Sequence, residues 1–182
     1  MAYASWSVVF GEQPSAAKWN ILGTNDASFN DGTGIAGLYK NLLTADSNPY
    51  KFSAYRNAAA TTGAGSFAKI TFDTELYDTN NNFATGTYTA PVTGFYQFSV
   101  GVQLSPGGVS RECAAEIYKN GAAVNRIGDG TSTADMGFAG GVLLSLTAAD
   151  TIDVYAYGSA AVNLVVGVAK YTYITGFLVS KT

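Results

Sequence analysis

Residues 94 to 104, "GFYQFSVGVQL", set the period of the chain. Tyr96, Phe98, Val100, Val102 and Leu104 alternate there with Gln97, Ser99, Gly101 and Gln103. Successive side chains of a strand point to opposite faces, so the pattern predicts a strand with one dry side and assigns those five apolar residues to the core. Similar short runs follow: "CAAEIYKNG", "GGVLLSL", "TIDVYAYG", "AVNLVVGVA" and "YTYITGFLV". Turn signals separate them. Asn120 and Gly121 suit a tight hairpin turn, and "PVTG" at 91 to 94 is another turn, its Pro91 being unable to donate to a central ladder. Many short strands with no helical pattern between them predict an all-β sandwich or barrel of about eight to ten strands.

Composition narrows the function. A chain of 182 residues fits one domain, or one with a short appendage. With 47% hydrophobic and 13% charged residues it has the means to build a core. No uncharged apolar run approaches the ~18 residues a span requires, so no membrane insertion is expected. The net charge of -3 leaves no cationic surplus for phosphate contacts, so nucleic acid is not an expected partner. The chain has no His, which removes the usual general base and the commonest zinc ligand. Its single Cys113 excludes an internal disulfide, and within "ECAAEIY" it reads as a small buried hydrophobe. The opening "MAYASWSVVFGEQPSAAKW" lacks a basic leader, so the protein is expected to be made in a cytoplasm without Sec export.

The composition changes near residue 50. Residues 1–49 are mostly Gly, Asn, Asp, Ala and Thr with scattered aromatics, and read as an attachment arm; residues 50–182 carry the strand pattern and read as a head. The later strands also carry apolar bulk on both sides. Tyr155 and Tyr157 oppose Ile152 and Val154, while Tyr171, Tyr173 and Phe177 oppose Ile174 and Leu178. Two dry faces predict that the second, bearing those five aromatics, is covered by another subunit. The plainer alternative is that Tyr is favoured in exposed strands.

The stretch from Tyr50 to Thr182 resembles the complement C1q-like globular-head family. The resemblance rests on "FSAYR" at 52 to 56, "ITFDTELYDTNNNF" at 70 to 83, "TGTYTAPVTGFYQFSV" at 85 to 100, "IYKNG" at 117 to 121, "GVLLSLTAADTIDVYAY" at 141 to 157 and "YITGFLVS" at 173 to 180. The run of Gly86, Tyr88, Pro91, Gly94, Tyr96 and Phe98 is its most specific part. It implies a ten-stranded jelly roll like that of tumour necrosis factor, a homotrimer about a threefold axis, and a protein that binds ligands without catalysing a reaction. No collagen-like Gly-X-Y stalk precedes the head, unlike an animal complement or adipokine protein. The segment "WSVVFGEQPSAAKWNILGTNDASFNDGTGI" resembles the amino-terminal part of tail-fibre, tail-tip and other virion proteins of bacteriophages and prophages.

Several local motifs have competing readings. "GTGIAG", with Gly32, Gly34 and Gly37, has the spacing of a dinucleotide-phosphate loop, but that loop needs a buried strand before it and a helix after it within a βαβ unit. Polar "GTNDASFND" precedes it, so a glycine-rich turn is the better reading and no bound cofactor is expected. Ile35, Leu38 and Leu42 are spaced for a short helix, with Asp31 or Thr33 as N-cap and Pro49 beyond its end. Such a helix could pack on the axis beneath a trimer or against its own head. "DTNNNF" begins like a calcium loop with Asp78, Asn80 and Asn82, yet Phe83 stands where the Gly belongs and Thr89 where the bidentate Glu belongs. The resemblance leaves calcium open at apical loops, where "GDGTSTAD" at 128 to 135 offers Asp129, Thr131 and Asp135 as a candidate ligand loop. Turn formation accounts for both stretches. Asp73, Glu75, Glu112, Glu116, Asp150 and Asp153 are the carboxylates from which a glycoside-hydrolysing pair would have to come.

The expected protein is therefore a non-enzymatic, homotrimeric jelly-roll component of a phage or prophage-derived particle. Residues 1–49 would join it to other virion proteins, and the head would bind a host-surface glycan or protein. A decoration protein that only stabilises the particle is the alternative, and a spike-borne glycan hydrolase a third.

Overall fold

The computed structural model describes residues 50–182. The glycines of "GTGIAG" and the helix expected from Ile35, Leu38 and Leu42 lie outside them. The described residues form thirteen strands: β1 (Lys51–Tyr55), β2 (Gly63–Ala64), β3 (Ser66–Lys69), β4 (Thr74–Asp78), β5 (Phe83–Ala84), β6 (Thr87–Thr89), β7 (Gly94–Ser105), β8 (Arg111–Lys119), β9 (Ala122–Ser132), β10 (Met136–Leu146), β11 (Thr151–Gly158), β12 (Asn163–Leu164) and β13 (Tyr173–Lys181); all but β3 belong to two mainly antiparallel sheets. Ten of these are three residues or longer. One sheet has the order β10-β7-β13-β1-β4, with β12 added to β7; the other has β5-β6-β11-β8-β9, with the short parallel β2 added to β11. The architecture is an all-β jelly roll.

The alternation in "GFYQFSVGVQL" places Tyr96, Phe98, Val100, Val102 and Leu104 between the sheets, each 0–1% exposed. Facing them are Cys113, Ala115 and Ile117 of β8 and Ile152, Val154 and Ala156 of β11. The centre is aromatic. Phe52 stacks on Tyr88 at 4.6 Å and on Phe83 at 4.9 Å, and Tyr88 meets Phe98 edge-on at 5.6 Å. Burying each such ring is worth about 1.5–3 kcal/mol, and the ring geometry adds a smaller increment. The Tyr96 hydroxyl donates to the Val92 carbonyl at 2.7 Å, so its polar end is satisfied inside the sandwich.

Two expectations about local structure are corrected. "AVNLVVGVA" was expected as a full strand, but only Asn163 and Leu164 pair, and the chain then loops. Val165 donates to the Gln103 carbonyl, the Thr172 hydroxyl accepts from Gln103 N at 3.4 Å and donates to the Val165 carbonyl at 2.8 Å, and Gly167 turns the backbone at φ 90. The β7 edge is thus capped by a few bonds rather than extended by a long strand. "GDGTSTAD" was expected as a loop, but β9 continues through it to Ser132. Gly128 lies under Phe138, where a Cβ would approach the ring to 2.7 Å. These glycines give room to β10, and only residues 133 to 135 turn.

Candidate binding surface

The five aromatics expected at one subunit interface do not share a surface. Tyr155 and Tyr157 stand on the outer side of β11, in the β5-β6-β11-β8-β9 sheet. Tyr173 and Phe177 stand on the outer side of β13, in the other sheet. Tyr171 lies in the loop before β13, with Lys170 Nζ 5.1 Å from its ring centre. The two pairs therefore point away from each other across the sandwich.

The outer side of the β10-β7-β13-β1-β4 sheet carries an uncovered apolar cluster. Gln97 pairs with Leu143 on one side and Phe177 on the other, and Phe95 lies two residues along β7. Leu143 is 54% exposed, Phe177 45% and Phe95 40%. Val179, at the bulge in β13, is also exposed. Farther along the same side, Tyr173 lies over Gly101, where any Cβ would collide with its ring. Leu143 and Phe95 were missed in the sequence because each sits among polar or small neighbours on the side read as wet.

The other sheet's outer side is different in character. Tyr155 stacks on Tyr118 of β8 at 4.0 Å, and Phe67 of β3 lies 5.4 Å from Tyr157 and 6.4 Å from Tyr118. The four rings are half-buried against one another within one chain. Two ion pairs flank them. Arg126 donates through Nε and Nη2 to Glu116 Oε1 at 2.9 and 2.7 Å, and its guanidinium lies 5.8 Å from the Phe67 ring centre. Lys69 Nζ lies 2.7 Å from Asp153 Oδ1, and Thr87 donates to the same oxygen at 2.7 Å. β3 is held against β11 by Ile70 N donating to the Val154 carbonyl and Gly65 N donating to the Gly158 carbonyl, both at 2.8 Å. Phe67, Lys69 and Tyr118 were not singled out in the sequence, since only the strand pairing brings them beside Tyr155 and Asp153.

The candidate ligand loop is dispersed. Asp129 and Thr131 are exposed on β9, and Asp135 lies in the turn before β10, where it accepts from the Ser105 hydroxyl. Asp78 turns its carboxylate inward to its own turn, accepting from Phe83 N at 2.7 Å and from Asn80 N at 3.3 Å. Asp73 and Asp150 are likewise tied to structure, whereas Glu75 and Glu112 are exposed. Asp73 accepts from the Asn57 and Ala58 amides and pairs with Arg56; burial works against these contacts, but together they hold it below the usual carboxylate range. Asp150 receives Lys119, the Asn120 amide and Thr147 N, which bring it down to about 2. Burial pushes the Cys113 thiol up, as its place on the inner side of β8 requires. No group of three or more metal-ligating side chains occurs among the described residues.

Two sheets packed face to face around an aromatic core define a jelly-roll module. Residues 51–179 match the model of the C1q domain, and the chain belongs to that family. No curated protein is similar enough to count as a relative. The fold is similar to the globular domain of a zebrafish complement 1qA protein, with a TM-score of 0.54 and 19% identity over 73% of this chain and 98% of that one. It is also similar to murine APRIL, with a TM-score of 0.52 and 10% identity over 71% and 98%, and to the Eiger TNF of S. frugiperda, with 0.51 and 10% over 73% and 94%.

Proposed function

We propose that the protein is a homotrimeric, non-enzymatic component of a bacteriophage or prophage-derived particle, whose head binds a glycan or protein on the host surface. The observation that carries the assembly is the apolar cluster of Phe95, Leu143, Phe177 and Val179, four large hydrophobic residues exposed at one end of one sheet. A contiguous patch of this kind is covered in a working molecule, and closure about a threefold axis covers it three times. The particle role is supported by the resemblance of the first 49 residues to virion attachment segments. Binding rather than catalysis is supported by the C1q domain itself and by Asp73, Asp78 and Asp150, whose carboxylates are committed to turns and ion pairs. Labelled full-length protein should bind cells of the strains that the particle infects. Absence of binding at micromolar concentration, with the protein still found on purified particles, would instead make it a decoration protein.

A further inference from the structure

We propose that the outer side of the β5-β6-β11-β8-β9 sheet is a binding surface for a neutral polysaccharide. The inference deepens the receptor-binding reading by giving the ligand a class and a place. Three observations carry it.

The first is the row of rings. Tyr157, Phe67, Tyr118 and Tyr155 form a continuous aromatic band on one outward side, joined in that order by ring contacts of 5.4, 6.4 and 4.0 Å. Aromatic rings have a negative face and a positive edge, so the polarised C–H faces of a sugar pack on them favourably. Tyrosine adds hydroxyls at little cost in conformational entropy, because only two torsions are fixed.

The second is the fixed hydrogen-bonding groups at the margin. Asp153 Oδ1 takes both Lys69 and Thr87, whereas Asp153 Oδ2 accepts from no described residue. At 8% exposure only a small part of this carboxylate reaches the surface, and the two contacts on Oδ1 fix it there. The Tyr155 and Tyr157 hydroxyls also make no hydrogen bond to a described residue. This arrangement needs no reorganisation before a polyol arrives.

The third is charge. The inner cations are spent, Lys69 on Asp153 and Arg126 on Glu116. Arg126 also reaches Asp129 at 3.9 Å, and Glu112 is exposed beyond the Tyr157 end of the band. An acidic polysaccharide would find the cations beside the rings already engaged, and a basic protein would find their carboxylates likewise paired. A neutral, hydroxyl-rich chain meets neither obstacle.

Affinity electrophoresis of the full-length protein through dextran, mannan, galactan and, as the acidic control, alginate provides the test. At least one neutral polymer should retard it, with little change between 50 and 500 mM NaCl. Tyr155→Ala should weaken the retardation by tenfold or more, and Tyr155→Phe, which keeps the stack, by a few-fold, while Phe177→Asp should leave the binding by each chain intact. Retardation by alginate alone, by no neutral polymer, or to an equal degree in wild type and Tyr155→Ala would overturn the proposal. If wild-type protein and Tyr155→Ala bind host cells equally, this surface is wrong and receptor binding stands. If neutral polymer binds through Tyr155 but host cells do not bind at all, receptor binding fails and the surface stands.

Discussion

A missing methyl group at Gly176 keeps two core rings where they are. A Cβ there would come within 2.7 Å of the Phe98 ring and 2.8 Å of the Phe52 ring. Both rings belong to the stacked centre and have no free space to retreat into. Gly176→Ala should therefore destabilise the domain by about 2 kcal/mol, the usual scale of overpacking, read as a lowered urea midpoint with an unchanged slope. Retained stability would mean that the core relaxes more freely than its packing suggests. The need for glycine here was not legible in "YITGFLV", since alternation fixes which side Gly176 faces but not what approaches it. Gly101 is similar: its outward position was readable, while the Tyr173 ring lying over it was not. Such close approaches join residues more than seventy positions apart, and one-dimensional spacing carries no trace of them.

At the scale of elements, the corner where β8, β9, β10 and β11 meet depends on one carboxylate. Asp150 accepts from Thr147 N at 2.8 Å and from the Asn120 amide at 2.7 Å, and pairs with Lys119 at 2.9 Å. Asn120, at φ 50 in the hairpin turn, also accepts from Thr151 N. Lys119 and Asn120 thereby lower the Asp150 pKa from 3.8 to about 2 in the folded state. A depressed folded pKa gives stability that is present above the unfolded value and lost as protons bind, here as pH falls from about 4 to about 2. Asp150→Asn should remove about 1–2 kcal/mol at pH 7 and flatten the stability profile across that window; an unchanged acid limb would show that other groups set it. The hairpin itself was legible, because Asn-Gly names its turn chemistry. β9 was not, since the glycines of "GDGTSTAD" suit a loop and a crowded strand equally, and Phe138 decides between them from another element.

At the scale of the molecule, alternation established the two-layer design and an aromatic surplus, but it could not say which sheet each strand joins. Tyr155 and Tyr173 look alike in sequence, each outward on a strand with a buried neighbour. Only the orders β5-β6-β11-β8-β9 and β10-β7-β13-β1-β4 put them on opposite sides. The trimer proposed above would therefore centre on Phe177 with Leu143 and Phe95, and would leave the tyrosines of β11 outside its contact. Phe177 is 45% exposed, so replacing it should hardly disturb the isolated chain. Phe177→Asp should convert a native mass of three chains to one, with the fold retained by circular dichroism. A wild-type mass of one chain would overturn the trimer, and an unaltered trimer in the variant would place its contact elsewhere.

Strand β7 reaches from Gly94 to Ser105, and its twelve residues extend roughly 40 Å at about 3.3 Å per residue. Its first residue pairs with Lys181, and Lys51 pairs with Phe177 on the neighbouring β13, so the polypeptide joins and leaves the sandwich toward the same end. At the far end, Gly107 and Gly108 turn back with φ of 70 and 81, and a Cβ on either would touch nothing within 4 Å. That distal turn is thus a natural graft point for a foreign peptide. A sequence inserted there would be displayed roughly three nanometres from Lys51 at about 3.3 Å per residue, without crossing the aromatic band or the Phe177 cluster.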